Sequence, residues 1–217
     1  PSIEAEAASR FLLARDLRLA LHGQQATIHF QPLIAAGSRR IRGAIARMVW
    51  NHPVYGTMFP ERAREAADYR ELVDEVTRWR LRRAVEQVPK LRAQLSIPLR
   101  IFVSFPRGWL LSVIGSPGLF LDFLASLRVE PKLLVLEIPE DVVQTEQSDL
   151  VEFLSQIQSM GVQFALTRFG LGLSGLSLLG RLRPDYLKID RSFIRIADGG
   201  DKRGEAVCRA IVKIAHG

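Results

Sequence analysis

A single cysteine, Cys208, stands among 217 residues, which excludes an internal disulfide and a zinc site built from cysteines. Its neighbours Val207, Ile211 and Ile214 read as a buried helical stripe, so the thiol is expected in the core. No apolar run reaches the roughly 18 residues of a membrane span. The segment Trp109-Leu110-Leu111-Ser112-Val113-Ile114-Gly115 is too short and is bounded by Pro106 and Pro117. The N-terminus lacks the basic, apolar and small-residue succession of a signal peptide. The chain starts at Pro1 in the manner of a piece excised from a longer protein. Low-complexity segments are absent, and no repeat is visible beyond an alternation of strands and helices. Together these absences suit a reducing, cytoplasmic setting.

What is present is a core-forming composition: 47% hydrophobic and 24% charged residues, with a net charge of +7. A basic balance raises a nucleic-acid reading. Arg78, Arg80, Arg82 and Arg83 cluster, but 100° steps along a helix spread them around its polar arc. A solvated helix face is the plainer reading and a phosphate-rich partner the alternative; nucleic acid is not expected.

The hydrophobic pattern predicts helices over residues 5–22, 60–90, 118–127 and 174–182, and around the stripes Leu150-Phe153-Leu154-Ile157 and Val207-Ile211-Ile214. Strands are predicted at Ile28–Pro32, Ile41–Trp50, Leu99–Val103, Leu133–Ile138, Val162–Leu166 and Tyr186–Ile189. The run at Leu133–Ile138 is apolar on both faces, as in a parallel sheet covered on both sides. Gly161 is a plausible helix stop, and Ile196–Asp201 reads as a loop. Strand–helix alternation predicts an α/β architecture, either an open doubly wound sheet or a (β/α) barrel. Periodicity alone does not choose, and about six strands are visible. Gly170-Leu171-Gly172-Leu173-Ser174-Gly175 fits the G-x-G-x-x-G pattern of dinucleotide sites, with Asp190 twenty residues on. It sits too late in the chain for a full nucleotide-binding half to follow.

Four stretches together explain that glycine segment better. They are Phe30-Gln31-Pro32; Arg47-Met48-Val49-Trp50-Asn51-His52-Pro53; Leu136-Glu137-Ile138-Pro139-Glu140; and Phe169-Gly170-Leu171-Gly172 followed by Asp185-Tyr186-Leu187-Lys188-Ile189-Asp190-Arg191-Ser192-Phe193. In order and spacing they resemble the EAL domain family of cyclic di-GMP phosphodiesterases, from about Leu13 to Gly217. The resemblance implies one domain over residues 1–217 with an EAL-type (β/α)8, TIM-like barrel fold. It also implies that the last strands of the barrel are not within this chain. Barrel chemistry sits at the C-terminal ends of the strands.

The family works with two divalent cations, which need hard oxygen ligands and several negative charges. Position by position, the resemblance implies that most ligands are lost. The glutamate of the signature corresponds to Ile45, the asparagine after the third strand to Ser104, and the paired aspartates to Thr167 and Arg168. Glu137 and the family's lysine, Lys188, are retained. No magnesium or manganese is therefore expected, and no catalytic residue survives as such. Arg168 and Lys188 are expected to pair with Glu137, since a buried carboxylate needs a partner. Gln31, Arg47, Glu137, Arg168 and Lys188 are the candidates for contacting cyclic di-GMP, although the family's phosphate-gripping arginine is here Val49. Leu171, Leu173 and Leu176, with Leu178 and Leu179, are candidates for a homodimer or partner-protein surface. The expected function is that of a catalytically inactive regulatory interaction module in cyclic di-GMP signalling. A metal-independent receptor for the dinucleotide is the alternative, and an active phosphodiesterase the more distant one. His52 is expected to be structural.

Overall fold

The computed structural model describes residues 3–58, 70–95, 97–145, 147–171 and 175–216. The elements run α1 (Ile3–His22), β1 (Ala26–Ile34), β2 (Ile41–His52), β3 (Gly56–Met58), α2 (Arg70–Leu95), β4 (Arg100–Ser104), α3 (Arg107–Ile114) and α4 (Gly118–Ser126). After a short 3-10 turn at Pro131–Leu133 come β5 (Leu134–Pro139), α5 (Glu140–Thr145), α6 (Gln147–Ser159), β6 (Gln163–Phe169), α7 (Gly175–Leu182), β7 (Tyr186–Ile189), α8 (Arg191–Asp198) and α9 (Lys202–His216). The chain forms two compact units, residues 1–103 with 122–134 and residues 104–121 with 135–217. The α/β class expected from the sequence is borne out. Among the described residues no single helix is long and apolar enough to cross a membrane.

In the first unit β1 and β2 form a long antiparallel ladder running from Ala26↔Trp50 to Ile34↔Ile41. β2 then pairs in parallel with β4, matching Gly43 to Arg100 and Ile45 to Phe102. Gly43 is needed there, because a Cβ would stand 2.8 Å from the Arg100 carbonyl oxygen. Alternate side chains of a strand share a face, and Met48 and Trp50 point into a core made with Leu17, Ala20 and Leu21 of α1, Met58 of β3, and Leu72 and Val76 of α2. The indole N–H of Trp79 donates to the Leu21 carbonyl at 2.8 Å, tying α2 to the end of α1.

His52 is structural, as expected, and the structure shows how. Its Nδ1 accepts from the backbone N–H groups of Val54 and Tyr55 at 3.0 and 3.1 Å. The proton of the neutral ring therefore sits on Nε2, which faces Asp16 at 3.5 Å. Trp50 and Tyr55 flank the ring at 4.9 and 4.7 Å.

The second unit holds the parallel strands β5, β6 and β7, in that order. β5 is buried on both faces from Leu134 to Ile138, as its unbroken apolar run predicts. An aromatic cluster of Phe105, Trp109, Phe120 and Phe153 packs beside it, with neighbouring centroids 4.5 to 6.1 Å apart. Gly161 stops α6 with φ +86°. Its N–H donates to the Gln158 carbonyl and that of Val162 to the Ile157 carbonyl, which is the Schellman arrangement.

The Trp109 segment forms α3, which buries Trp109, Leu110 and Val113. Several expectations need correction. Ile196–Asp198 lies in α8, so the loop shrinks to Gly199–Asp201. The three-residue β3 brings the strands among the described residues to seven. The helix predicted over 60–90 runs on to Leu95, and its first part, residues 60–69, lies outside the described residues. Cys208 is only half-buried, with Val207 and Ile214 37% and 39% exposed. The eight-residue α8 covers only the line of α9 through Gly204 and Ile211, narrower than the apolar stripe itself.

The His52 ring should contribute measurably to stability. His52→Ala strands two backbone N–H groups and is expected to lower unfolding stability by about 2–4 kcal/mol in urea titrations. A variant as stable as the parent would show that the ring does not hold this turn.

Candidate functional site

The second unit gathers its polar side chains around the ends of its parallel strands. Glu137, in the middle of β5, is only 4% exposed. One carboxylate oxygen accepts from the Lys188 ammonium, which β7 presents. The other accepts from the Ser104 hydroxyl at 2.6 Å. The backbone N–H of Phe105 donates to the Glu137 carbonyl at 2.9 Å, so the chain leaving β4 is fastened to β5 at the same residue. Glu137, Lys188 and Ser104 thus form one hydrogen-bonded group, and the expected Lys188–Glu137 pair is present.

Arg168 does not join it, which corrects the expectation. The β6–β7 register shifts between Leu166 and Phe169. Within that irregularity Arg168 takes φ +58°, a left-handed conformation that a long side chain seldom adopts. The guanidinium binds Asp141 at 2.6 Å, and both side chains are about half exposed. Asp141 stands in the first turn of α5, and its carbonyl also accepts from Arg107 at 3.1 Å. Thr167 keeps its side chain inward, where the hydroxyl donates to the Ile138 carbonyl at 3.3 Å.

Two acids that the sequence reading left without a role hold the surrounding frame. Glu140 is 2% exposed, and its Oε2 accepts the Gly170 N–H at 3.0 Å. Gly170 has φ +100°, and a Cβ there would meet Phe193 at 2.9 Å. The glycine segment therefore serves a turn packed on Phe193, and its first N–H is given to a glutamate. Asp141 is the other; the only signal for it was an acid directly after Leu-Glu-Ile-Pro-Glu. Asp190 caps α8 through the Ser192 N–H at 2.8 Å. That bond, helped by the Ser192 side chain and by the positive charge of Arg168, holds its carboxyl below the usual aspartate range.

The remaining candidates lie in the first unit. Gln31 and Ile45 are register partners across β1 and β2. Arg47 donates from Nε to the Gln31 side-chain oxygen at 2.9 Å, and both residues are exposed. Arg47 thus binds an amide oxygen. Ile45 is 6% exposed and carries no ligand atom. Of the helix arginines, Arg78 pairs with Asp74 and lies over the Phe123 ring, and Arg83 pairs with Glu86. Leu171 is 58% exposed, while Leu173 and the Leu176 side chain lie outside the described residues. Among the described residues no three His, Cys, Asp or Glu side chains converge to hold a metal ion.

The EAL domain family model matches residues 14–217. The chain belongs to the EAL domain family. Cyclic di-GMP phosphodiesterase NbdA of Pseudomonas aeruginosa is 28% identical over 207 residues, covering 94% of this chain and 26% of NbdA. The chain therefore spans about a quarter of the length of that relative. The structure of the MucR phosphodiesterase in complex with c-di-GMP superposes with a TM-score of 0.84 at 29% identity, covering 94% of this chain and 82% of that one. The Xanthomonas citri FimX EAL domain in complex with c-diGMP gives 0.70 at 26% identity, over 88% and 73%. This EAL domain thus has the α/β fold of structures that hold cyclic di-GMP, and the barrel class expected from its motifs is borne out.

The Glu137 pair offers a direct test of its own energetics. Lys188→Met removes the cation from a buried carboxylate and is expected to destabilise the fold by about 3 kcal/mol. Adding Glu137→Gln should restore much of that loss. Denaturation of the two variants, compared with the parent, decides it: equal stability of all three would show that the pair does not stabilise the fold.

Proposed function

We propose that this EAL domain does not hydrolyse cyclic di-GMP and serves as a regulatory module in cyclic di-GMP signalling. One observation carries the reading. Glu137 is the one carboxylate left at the positions where the resemblance implies metal ligands, and both of its oxygens already accept hydrogen bonds from Lys188 and Ser104. The other positions supply little. Ile45 has no lone pair, the Thr167 hydroxyl is engaged with Ile138, and Arg168 brings a permanent positive charge. Two dications near each other need several anionic oxygens, and this donor set does not fit them. The charge of Arg168 is a weaker support than the lost ligands, since Asp141 offsets it and solvent screens it.

Within that reading, binding of the dinucleotide without turnover has its own support. The exposed Gln31–Arg47 pair joins a guanidinium to an amide, groups suited to a phosphate and a base edge. The Lys188 side chain remains about one-third exposed. Exposed Leu171 and half-buried Leu179 are the described parts of the surface proposed for a protein partner or a second copy.

Calorimetric titration with cyclic di-GMP, with magnesium or manganese and then with EDTA, tests both statements alongside chromatography of the nucleotide. No linear dinucleotide is expected with either metal. If the domain binds the ligand, EDTA should leave the affinity unchanged and Arg47→Ala should weaken it by roughly tenfold, the loss of one charge-assisted contact. Metal-dependent ring opening would end the non-hydrolytic reading.

A further inference from the structure

The net charge of +7 is confined to one unit. Residues 1–103 with 122–134 contain 19 Lys and Arg against 12 Asp and Glu, and the second unit contains 11 of each. The asymmetry sharpens locally: from Leu17 to Pro60 there are five arginines and no acidic residue. Three of the five, Arg39, Arg40 and Arg42, sit at the tip of the β1–β2 hairpin, all exposed. None of the three has an ion-pair partner among the described residues. Three uncompensated guanidinium groups within four positions repel one another, which an anionic surface would relieve.

The tip is built to project and to be rigid. The Ala35 N–H donates to the Arg40 carbonyl at 2.9 Å, and the Arg39 N–H returns to the Ala35 carbonyl at 2.8 Å. Arg39 takes φ +54° to close this turn. Ala36, Gly37 and Ser38 are exposed, and a Cβ on Gly37 would meet nothing within 4 Å. Beside the arginines Ile34 is 59% exposed.

These features separate the anionic partners. Nucleic-acid strands are gripped by aromatic platforms as well as by charge, and no Phe, Tyr or Trp occurs between Gln31 and Val49. Acidic peptides are held in grooves with side-chain pockets, whereas this tip is a small-residue projection. A flat bilayer bearing anionic headgroups asks only for clustered basic residues and a short apolar contact. We infer that the β1–β2 hairpin docks this domain on an anionic phospholipid surface through Arg39, Arg40 and Arg42, with Ile34 entering the headgroup layer. The tip precedes the N-terminal end of β2 and contains none of the residues on which the non-hydrolytic reading rests. Lipid docking and the non-hydrolytic reading therefore stand or fall separately.

The test is cosedimentation of the protein with vesicles of phosphatidylcholine, alone or mixed with phosphatidylserine. Partition into the mixed vesicles is expected, weakening as salt rises. Arg39→Gln, Arg40→Gln and Arg42→Gln together should weaken it roughly 100-fold, about fivefold for each charge. The corresponding triple lysine variant should keep binding, and circular dichroism should show both variants folded. Equal partition into the two vesicle types, or full binding by the folded glutamine variant, would overturn the proposal. So would binding to a DNA oligonucleotide or a poly-glutamate peptide without binding to the mixed vesicles.

Discussion

A carboxylate buried to 4% exposure inside a sheet must find a cation, a set of donors or a proton, because bare charge in such surroundings costs several kcal/mol. Glu137 finds Lys188 and Ser104. That choice orders much of the second unit. It joins Ser104 to β5 and β7, and the Phe105 N–H on the Glu137 carbonyl adds a backbone fastening at the same residue. Inside an EAL fold the acid is thereby satisfied by the protein's own side chains.

The five residues from Glu137 to Asp141 hold three separate partners. Glu137 takes Lys188, Glu140 takes the Gly170 N–H, and Asp141 takes Arg168. The spacing follows from the passage of β5 into α5, which turns each acid in a different direction. Arg168 shows the balance of small terms. Its left-handed backbone costs about 1 kcal/mol for a residue other than glycine, and the exposed ion pair with Asp141 returns about as much. Aspartate, which the family pattern places at this position, is more at home in that conformation.

Much of the fold was legible in the residues. Leu133–Ile138, apolar on both faces, marked a covered parallel strand, and Gly161 marked a helix stop; both readings held. Glu137 was conspicuous as the lone charge in that run, so its pairing with Lys188 could be foreseen. β3 could not, since three residues carry no periodicity. α8 was hidden by the Asp-Gly-Gly that ends it, although Asp190 followed by Ser192 was an N-cap signal. The Arg168–Asp141 pair was out of reach for a different reason. Hydrophobic patterning gives no sign of a positive φ, and that one angle sends Arg168 to Asp141 and away from Glu137.

The central claim is that Lys188 and Ser104, and no pair of metal ions, satisfy Glu137. Anomalous diffraction at the manganese edge, from crystals grown with manganese and cyclic di-GMP, addresses it directly. No pair of anomalous peaks is expected beside Glu137, with its hydrogen bonds to Lys188 and Ser104 intact. Two manganese peaks bridged by the Glu137 carboxylate would contradict it.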